Sequence, residues 1–297
     1  MNLPWLTPVF TQLTGRFLAQ RLHHALLLCG PAGIGKQTLA EAFAKTLLCQ
    51  RPSSQGACEN CQSCSLFDAG THPDFHILES EKQLGVDKIR EGIGKLSATS
   101  QLGRNKVLVI PAADSMTDSA ANALLKTLEE PTDNTFLMLL TDKVQHLLPT
   151  ILSRCEKAVL PLPPEDQSLA WLQQQGLEEA SPALLQAYGG APLKLLTAIN
   201  AESEGLSFRA FNEGVDALMA GSATALTLAT KWQDSARQVV GWCQQRAHHA
   251  YTASQRVEDY AAYAQATQSA RQLQHPGINK VVVLTQVLER LIRPAAS

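Results

Sequence analysis

The sequence lacks a strong charge of either sign. Its 25 Lys and Arg residues nearly balance its 27 Asp and Glu residues, and the formal net charge is −2. This balance excludes a field strong enough to hold a polyanion such as nucleic acid by charge alone. If the chain works on nucleic acid, we expect partner proteins to contribute much of the affinity.

The sequence also lacks the segments that direct a chain to a membrane or out of the cell. No stretch reaches the roughly 18 consecutive apolar residues that a membrane helix needs. The first ten residues mix apolar side chains with two prolines, and the first basic residue is Arg16. No secretory signal is therefore predicted, and we expect a cytoplasmic protein without a membrane partner.

Seven cysteines in such a protein need an explanation other than disulfide bonds. Four of them lie close together in a polar segment, and their spacing suits tetrahedral zinc because two-residue gaps let a turn present two sulfurs to one ion. The predicted ligands are Cys49, Cys58, Cys61 and Cys64. Four thiolates fill the coordination sphere, so the zinc would be structural. An iron–sulfur cluster and metal-free thiols remain alternatives.

Three other residues of types that can bind a metal have simpler interpretations. His72, in Thr71-His72-Pro73-Asp74, could compete as a metal ligand, but four thiols suffice, which favours an ordinary loop histidine. Cys29 and Cys243 have apolar neighbours and are interpreted as small core residues.

The first half of the chain alternates apolar runs with helical patterns, which is typical of a parallel α/β sheet. Ala25–Cys29, Lys106–Ile110 and Phe136–Leu140 predict buried strands, and Leu39–Leu48 predicts a helix. After the proline-rich segment 161–164, only helical patterns follow. The predicted domains are 1–163 (α/β, with a zinc module at 49–64), 164–204 (small and helical) and 205–297 (helical).

Between the first strand and its helix lies a glycine-rich segment that fits a phosphate-binding loop. Gly30, Gly33 and Gly35 would turn backbone N–H groups toward phosphates, and Lys36 would add a positive charge. The simpler alternative is a strand-to-helix turn that merely needs glycine. The complete motif places Ser or Thr after the lysine as a magnesium ligand, and this chain has Gln37 there.

Other groups required for ATP hydrolysis are missing as well. Thr38 lies about 100° around the helix from the position of the missing hydroxyl. The strand Lys106–Ile110 should end in an acidic pair, but Pro111 and Ala112 follow it, and Asp114 lies several ångströms beyond the strand end. We predict that hydrolysis is lost, while nucleotide binding stays open.

Two further segments identify a family. The helix Ala120–Pro131, with the sequence AANALLKTLEEP, and the segment Thr150–Cys155, with the sequence TILSRC, resemble signature motifs of the AAA+ clamp-loader subunits of bacterial DNA polymerase III. With the cysteine cluster, the resemblance covers roughly residues 22–160. For the helical remainder it depends on length and order alone.

The resemblance implies a fold and a place in an assembly. The fold would be an AAA+, P-loop NTPase-like α/β domain with a zinc-binding insertion, then a small helical lid domain and an all-α collar domain. Gamma and tau, the ATPase subunits of the family, keep the complete loop and an Asp-Glu pair. They also carry an arginine in the small helical domain where this chain has Leu193, beside Lys194. The chain therefore resembles a non-hydrolysing member.

The resemblance also implies partners and a role for one arginine. The partners would be gamma or tau, the delta subunit and, through the complex, the sliding clamp and primed DNA. Arg154, flanked by Ser153 and Cys155, resembles an arginine finger offered to ATP on a neighbouring gamma subunit. The simpler alternative is a surface arginine that caps a carbonyl.

Two other functions are weighed against this interpretation. An active gamma-type ATPase would need metal ligands that the sequence does not supply. A zinc-dependent nucleic-acid-binding module would need a basic face around Cys58–Cys64, but the stretch from Cys58 to Asp68 carries Glu59 and Asp68 and no Lys or Arg. The expected protein is thus not an ATPase by itself, although it would be a subunit of a DNA-directed DNA polymerase holoenzyme.

Overall fold

The fold is described from a computed structural model that covers residues 2–80, 83–102, 104–177, 180–201, 206–275 and 277–292. The chain divides into two compact units, Met1–Gln167 and Ser168–Ser297. This division falls inside a helix, close to the predicted boundary at 163/164. The other predicted boundary, at 204/205, lies outside the described residues, so the three-domain layout stays a prediction.

The first unit is built on a parallel sheet. Its strands are β1 (Ala25–Cys29), β2 (Phe75–Ile77), β3 (Lys106–Ile110), β4 (Thr135–Thr141) and β5 (Glu156–Val159). Its helices are α1 (Thr7–Leu18), α2 (Lys36–Leu48), α3 (Gln62–Asp68), α4 (Val86–Ser97), α5 (Asp118–Glu129) and α6 (Pro149–Leu152). Short 3-10 helices lie at Pro4–Leu6, Ala113–Ser115 and Val144–His146.

The strand order is β2-β3-β4-β1-β5, and every neighbouring pair is parallel. The central strands β1 and β3 are buried at every position, as expected for a parallel sheet covered on both faces. The continuous apolar runs of the three interior strands are the reason that the sequence predicted β1, β3 and β4. The sheet positions the candidate site because the loops that follow its strands share one edge.

Local signals also explain the helix that carries the family signature. The Thr117 hydroxyl caps the start of α5 by accepting a hydrogen bond from the backbone N–H of Ala120 (3.1 Å). At its other end, Pro131 forces the preceding Glu130 out of the helical conformation, with φ −128° and ψ 75°. The helix therefore ends at Glu129.

The second unit is helical in every regular element that the structure describes. Its helices are α7 (Glu165–Gln174, shared with the first unit), α8 (Pro182–Ala187), α9 (Pro192–Ala201), α10 (Phe208–Met219), α11 (Ala225–Lys231), α12 (Ala236–Ser254), α13 (Val257–Gln272) and α14 (Lys280–Ile292), with a 3-10 helix at Gln233–Ser235. Phe211 packs its ring against Trp232 and Trp242 in the core. Within the described residues, no helix is both long and apolar enough to cross a bilayer.

Candidate functional site

The glycine-rich segment lies at the edge of the sheet where ligands of open α/β folds bind, beyond the carboxyl ends of the strands. It joins β1 to α2, and β1 lies between β4 and β5. Asp114 follows β3, Asp142 follows β4 and Leu160 follows β5. The fold therefore brings two carboxylates to the same edge as the loop.

The loop needs its glycines because of their backbone conformation and because of close packing. Gly33 and Gly35 have φ of 76° and 95°, a region that favours glycine, and Gly35 caps the start of α2. A Cβ on Gly30 would lie 2.2 Å from the carbonyl oxygen of Leu160, so no side chain fits there. Close packing against Leu160, the residue after β5, thus accounts for Gly30 independently of any phosphate.

Lys36 lies with its ammonium group inside the loop. Its Nζ donates to the carbonyl oxygens of Gly30 (2.8 Å) and Pro31 (2.7 Å). Burial lowers the pKa of Lys36, and the carboxylates of Asp142 and Asp114 act in the opposite direction. The lysine therefore supplies a positive charge at the position where a phosphate-binding loop needs one.

The groups that would complete hydrolysis are engaged elsewhere or absent. The exposed Gln37 amide donates to Glu41 Oε1 (3.0 Å) and Glu79 Oε1 (3.4 Å). Asp114, the shifted acid considered from the sequence, accepts a hydrogen bond from the Thr141 hydroxyl (2.7 Å). Pro111 and Ala112 directly follow β3, so neither of the first two residues after that strand carries a carboxylate.

The four predicted cysteine ligands come together in space. All four Sγ atoms lie within 4.8 Å of one another, with 3.9 Å from Cys49 to Cys61 and 3.5 Å from Cys61 to Cys64. Four sulfurs about 2.3 Å from one tetrahedral ion would lie roughly 3.8 Å apart. Cys49, Cys58, Cys61 and Cys64 can therefore hold a metal ion.

Backbone groups around the cluster favour the thiolate forms that bind metal. The N–H groups of Arg51 and Cys58 donate to Cys49 Sγ at 3.3 and 3.2 Å. The backbone N–H of Asn60 makes the largest contribution to lowering the pKa of Cys58 to about 6, whereas burial raises the pKa of Cys49 and of Cys64. These N–H groups stabilise the negative charge of a thiolate, which is the form of cysteine that binds a cation.

His72 supports the cluster without joining it. It is 6% exposed, and its Nδ1 accepts a hydrogen bond from the backbone N–H of Asp74 (3.1 Å). The Ser63 hydroxyl donates to the Leu48 carbonyl (2.8 Å), so its oxygen accepts from His72 Nε2 (2.8 Å). His72 is thus a buried hydrogen-bonded link between α3 and the strand that follows.

An ion-pair group fastens the cysteine segment to α2. Lys45, whose side chain is 13% exposed, pairs with Asp68 at 2.7 Å and with Glu59. Gly56 adds a packing contact, since a Cβ there would lie 2.8 Å from the Phe10 ring. The segment is therefore fixed on the α/β unit from two sides.

Asp74 is a buried carboxylate that organises the loop before β3. It accepts hydrogen bonds from the Ser100 hydroxyl (2.9 Å) and from the backbone N–H groups of Gln101 (2.9 Å) and Leu102 (3.1 Å). Asp74→Ala should lower the free energy of unfolding by about 2–4 kcal/mol, because it removes a buried carboxylate that accepts three hydrogen bonds. Urea denaturation measures this loss, with the exposed Asp133→Ala as the matched control. Equal stabilities of the two variants would contradict the prediction.

Arg154 lies two residues after the end of α6, and its partners belong to its own unit. Its Nε donates to Glu129 Oε1 (2.6 Å), and its Nη2 forms an ion pair with the same carboxylate. Its Nη1 donates to the Thr150 carbonyl (3.0 Å) and the Ser153 hydroxyl (3.3 Å). The guanidinium does cap a carbonyl, as the simpler alternative proposed, and it is also bound to a carboxylate.

The two neighbours of Arg154 have different environments. Ser153 is exposed and contacts the guanidinium, whereas Cys155 is 8% exposed and packs in the core beneath the sheet. Burial raises the pKa of Cys155 to about 11, so this thiol stays protonated at neutral pH. Cys155 therefore fixes the segment by packing.

Sequence reasoning missed three residues that shape these sites. Glu129 and Arg154 are 25 positions apart, so no local periodicity links them. The partners of Lys45 and Asp74 are also distant in the sequence, with Asp68 23 positions from Lys45 and Ser100 26 positions from Asp74. The one available signal was that Glu129 stands in the same signature helix that indicated the family.

Comparisons with known proteins agree with the motifs. A family model described as DNA polymerase III, delta subunit, matches residues 6–164. DNA polymerase III subunit delta' of Pseudomonas aeruginosa is 44% identical over 237 residues, which cover 77% of this chain and 70% of that protein. The Escherichia coli protein of the same name is 42% identical over 194 residues, which cover 64% of this chain but only 58% of the relative.

A solved structure resembles the fold over nearly the whole chain. The crystal structure of a DNA polymerase III gamma subunit-related protein from Thermotoga maritima has a TM-score of 0.55 at 18% identity and covers 96% of this chain and 98% of that one. This likeness supports the parallel α/β architecture with its many helices. On the family match and the relatives together, the chain belongs to the DNA polymerase III delta subunit family, among relatives named subunit delta'.

Proposed function

We propose that the chain is a non-hydrolysing clamp-loader subunit that helps to place a sliding clamp on primed DNA during replication. One observation carries the absence of hydrolysis: the phosphate loop keeps Lys36, yet Gln37, Pro111 and Ala112 stand where the metal-binding and water-activating groups belong. The family membership supports the place in a DNA polymerase III assembly. The chain would carry out this function in the cytoplasm.

The proposed layout follows the family. The α/β unit is the AAA+ domain, residues 164–204 form a helical lid, and residues 205–297 form the collar through which subunits associate. The neighbours in the complex are a gamma or tau ATPase subunit and the delta subunit. The collars of the subunits form a ring, in which this chain is a rigid member. It contacts the clamp and DNA through the complex.

Arg154 is the residue proposed to take part in chemistry. A guanidinium that reaches the terminal phosphate of ATP on a neighbouring subunit stabilises the charge that spreads over the phosphate oxygens in the transition state. Its partly exposed side chain, after the short helix α6, is compatible with contact across a subunit boundary. The chain would thus assist hydrolysis in another subunit.

The metal held by the cysteine cluster is proposed to be structural zinc. Four sulfur ligands suit Zn²⁺, and they leave no open position for a reacting water. Cys49, Cys58, Cys61 and Cys64 would hold the ion, which would stabilise the insertion between α2 and β2. Its chemistry would be limited to this support.

The isolated protein should not hydrolyse ATP, and Gln37→Thr should not confer hydrolysis. The substitution restores the missing hydroxyl, but Pro111 and Ala112 still stand directly after β3 in place of the acidic pair, so neither the metal nor the attacking water is positioned. Phosphate release from Mg-ATP by purified wild type and Gln37→Thr measures this, with a gamma-type subunit as the positive control. Magnesium-dependent turnover by wild type that disappears in Lys36→Ala would contradict the proposal.

A further inference from the structure

We infer that Glu129 is a positioning residue that restrains Arg154 until a neighbouring nucleotide displaces it. The inference rests on the proposed role of Arg154 in trans. Glu129 holds the edge of the guanidinium that would otherwise be offered to a phosphate. The ion pair therefore sets when Arg154 becomes available, in addition to where it lies.

The contacts divide the guanidinium into two sides. The edge formed by Nε and Nη2 faces one oxygen of Glu129, with Nε at 2.6 Å. The Nη1 side is held by the Thr150 carbonyl and the Ser153 hydroxyl, which belong to the same turn as Arg154. Guanidinium groups bind carboxylates and phosphates through such paired N–H edges. An incoming phosphate would therefore compete with Glu129 for one edge.

The fold fixes the position of Glu129. It is the last residue of α5, a helix that the Thr117 cap starts and Pro131 stops. A carboxylate at the carboxyl end of a helix faces the negative end of the helix dipole, so it is stabilised by a cation. Helix α6, which leads to Arg154, packs against α5 and brings that cation within reach.

The ion pair of Arg154 and Glu129 is exposed enough for a phosphate to replace Glu129 as the partner of the guanidinium. The side chains of Arg154 and Glu129 are 32% and 49% exposed. Ion pairs in such positions contribute little to stability, unlike buried pairs. A terminal phosphate carries more negative charge than a carboxylate, and it can therefore take the guanidinium from Glu129 when the two subunits meet.

The first test examines the ion pair in the full-length chain alone. The rate at which phenylglyoxal modifies Arg154, followed by mass spectrometry of its peptide, should rise about two- to five-fold in Glu129→Gln, the factor expected for loss of a partly exposed ion pair. Glu130→Gln is the matched control, because the adjacent exposed glutamate loses the same charge. It should leave the rate unchanged.

The second test examines the consequence in the complex with gamma-type ATPases and delta. Without clamp and DNA, Glu129→Gln should raise the basal ATP turnover by about two- to five-fold. The double variant Glu129→Gln/Arg154→Ala should match Arg154→Ala, because the restraint acts only through the arginine. Glu130→Gln should resemble wild type.

The outcomes separate the inference from the function on which it rests. If Arg154→Ala is defective while Glu129→Gln equals wild type in both tests, the restraint is overturned and the proposed function stands. A fall of basal turnover in Glu129→Gln would also overturn the restraint, since Glu129 would then be required for activity. If Arg154→Ala is as active as wild type, the proposed function fails and the inference fails with it.

Discussion

Arg154→Ala is expected to slow hydrolysis at the ATPase site that faces this chain by about 10³-fold or more. The reason is that a guanidinium stabilises charge on the equatorial phosphate oxygens, and no other group on this chain is proposed to replace it. Assembly should be unaffected, because the side chain is partly exposed and its described partners all lie within its own unit. Single-turnover hydrolysis by the reconstituted complex, stimulated by clamp and primed DNA, should show this loss as a missing fast phase.

Two further variants make the arginine result specific. Arg154→Lys keeps a positive charge but loses the planar paired donors, so it should restore little of the rate. Lys157→Ala removes an exposed cation three positions along the chain, on β5, and should retain the fast phase. A fast phase of normal size in Arg154→Ala would contradict the trans-acting role.

Loss of the metal is expected to open the cysteine-rich insertion while the sheet remains folded. In the part of the chain that the structure describes, the buried cluster of Cys49, Cys61 and Cys64 has only Ala57 and Cys58 packed against it. A cluster of this size buries little apolar surface, so we expect ion binding to supply most of the free energy that folds the turns around it. Cys61→Ser should therefore abolish binding of one equivalent of zinc and make residues 49–68 sensitive to protease.

The metal prediction has a matched thiol control. Cys243 is fully buried in the helical unit and lies outside the cluster, so Cys243→Ala should still bind one zinc. Metal content is measured with a zinc-sensitive dye after denaturation, and protection is measured by limited proteolysis with and without chelator. A metal-free protein whose insertion resists protease as well as wild type would show that zinc is dispensable for the fold.

The sheet was predictable to the extent that its strands are buried on both faces. The three strands predicted from apolar runs, β1, β3 and β4, are observed. The runs of β2 and β5 were missed because these strands form the two edges of the sheet and contain only three and four residues. Short, partly exposed edge strands lack the continuous apolar pattern that identifies buried ones.

The candidate sites, too, were predictable only where their residues are close together in the sequence. The cysteine cluster was predictable because its ligands are close in sequence, and short spacing restricts geometry. The Lys36 loop was predictable because it lies between a strand and a helix. The pairing of Glu129 with Arg154 was not, because it depends on how α5 packs against α6, which no local pattern reports.

The central claim is that this chain hydrolyses no ATP and enables hydrolysis by another subunit. It is tested most directly by titrating the purified chain into fixed amounts of gamma-type ATPase and delta subunits, with clamp and primed DNA present. We predict no turnover by the chain alone and a turnover that rises to saturation at one chain per complex with wild type. With Arg154→Ala, the fast phase should be absent at every ratio. ATP hydrolysis by the chain alone, or equal titrations for both proteins, would contradict the account.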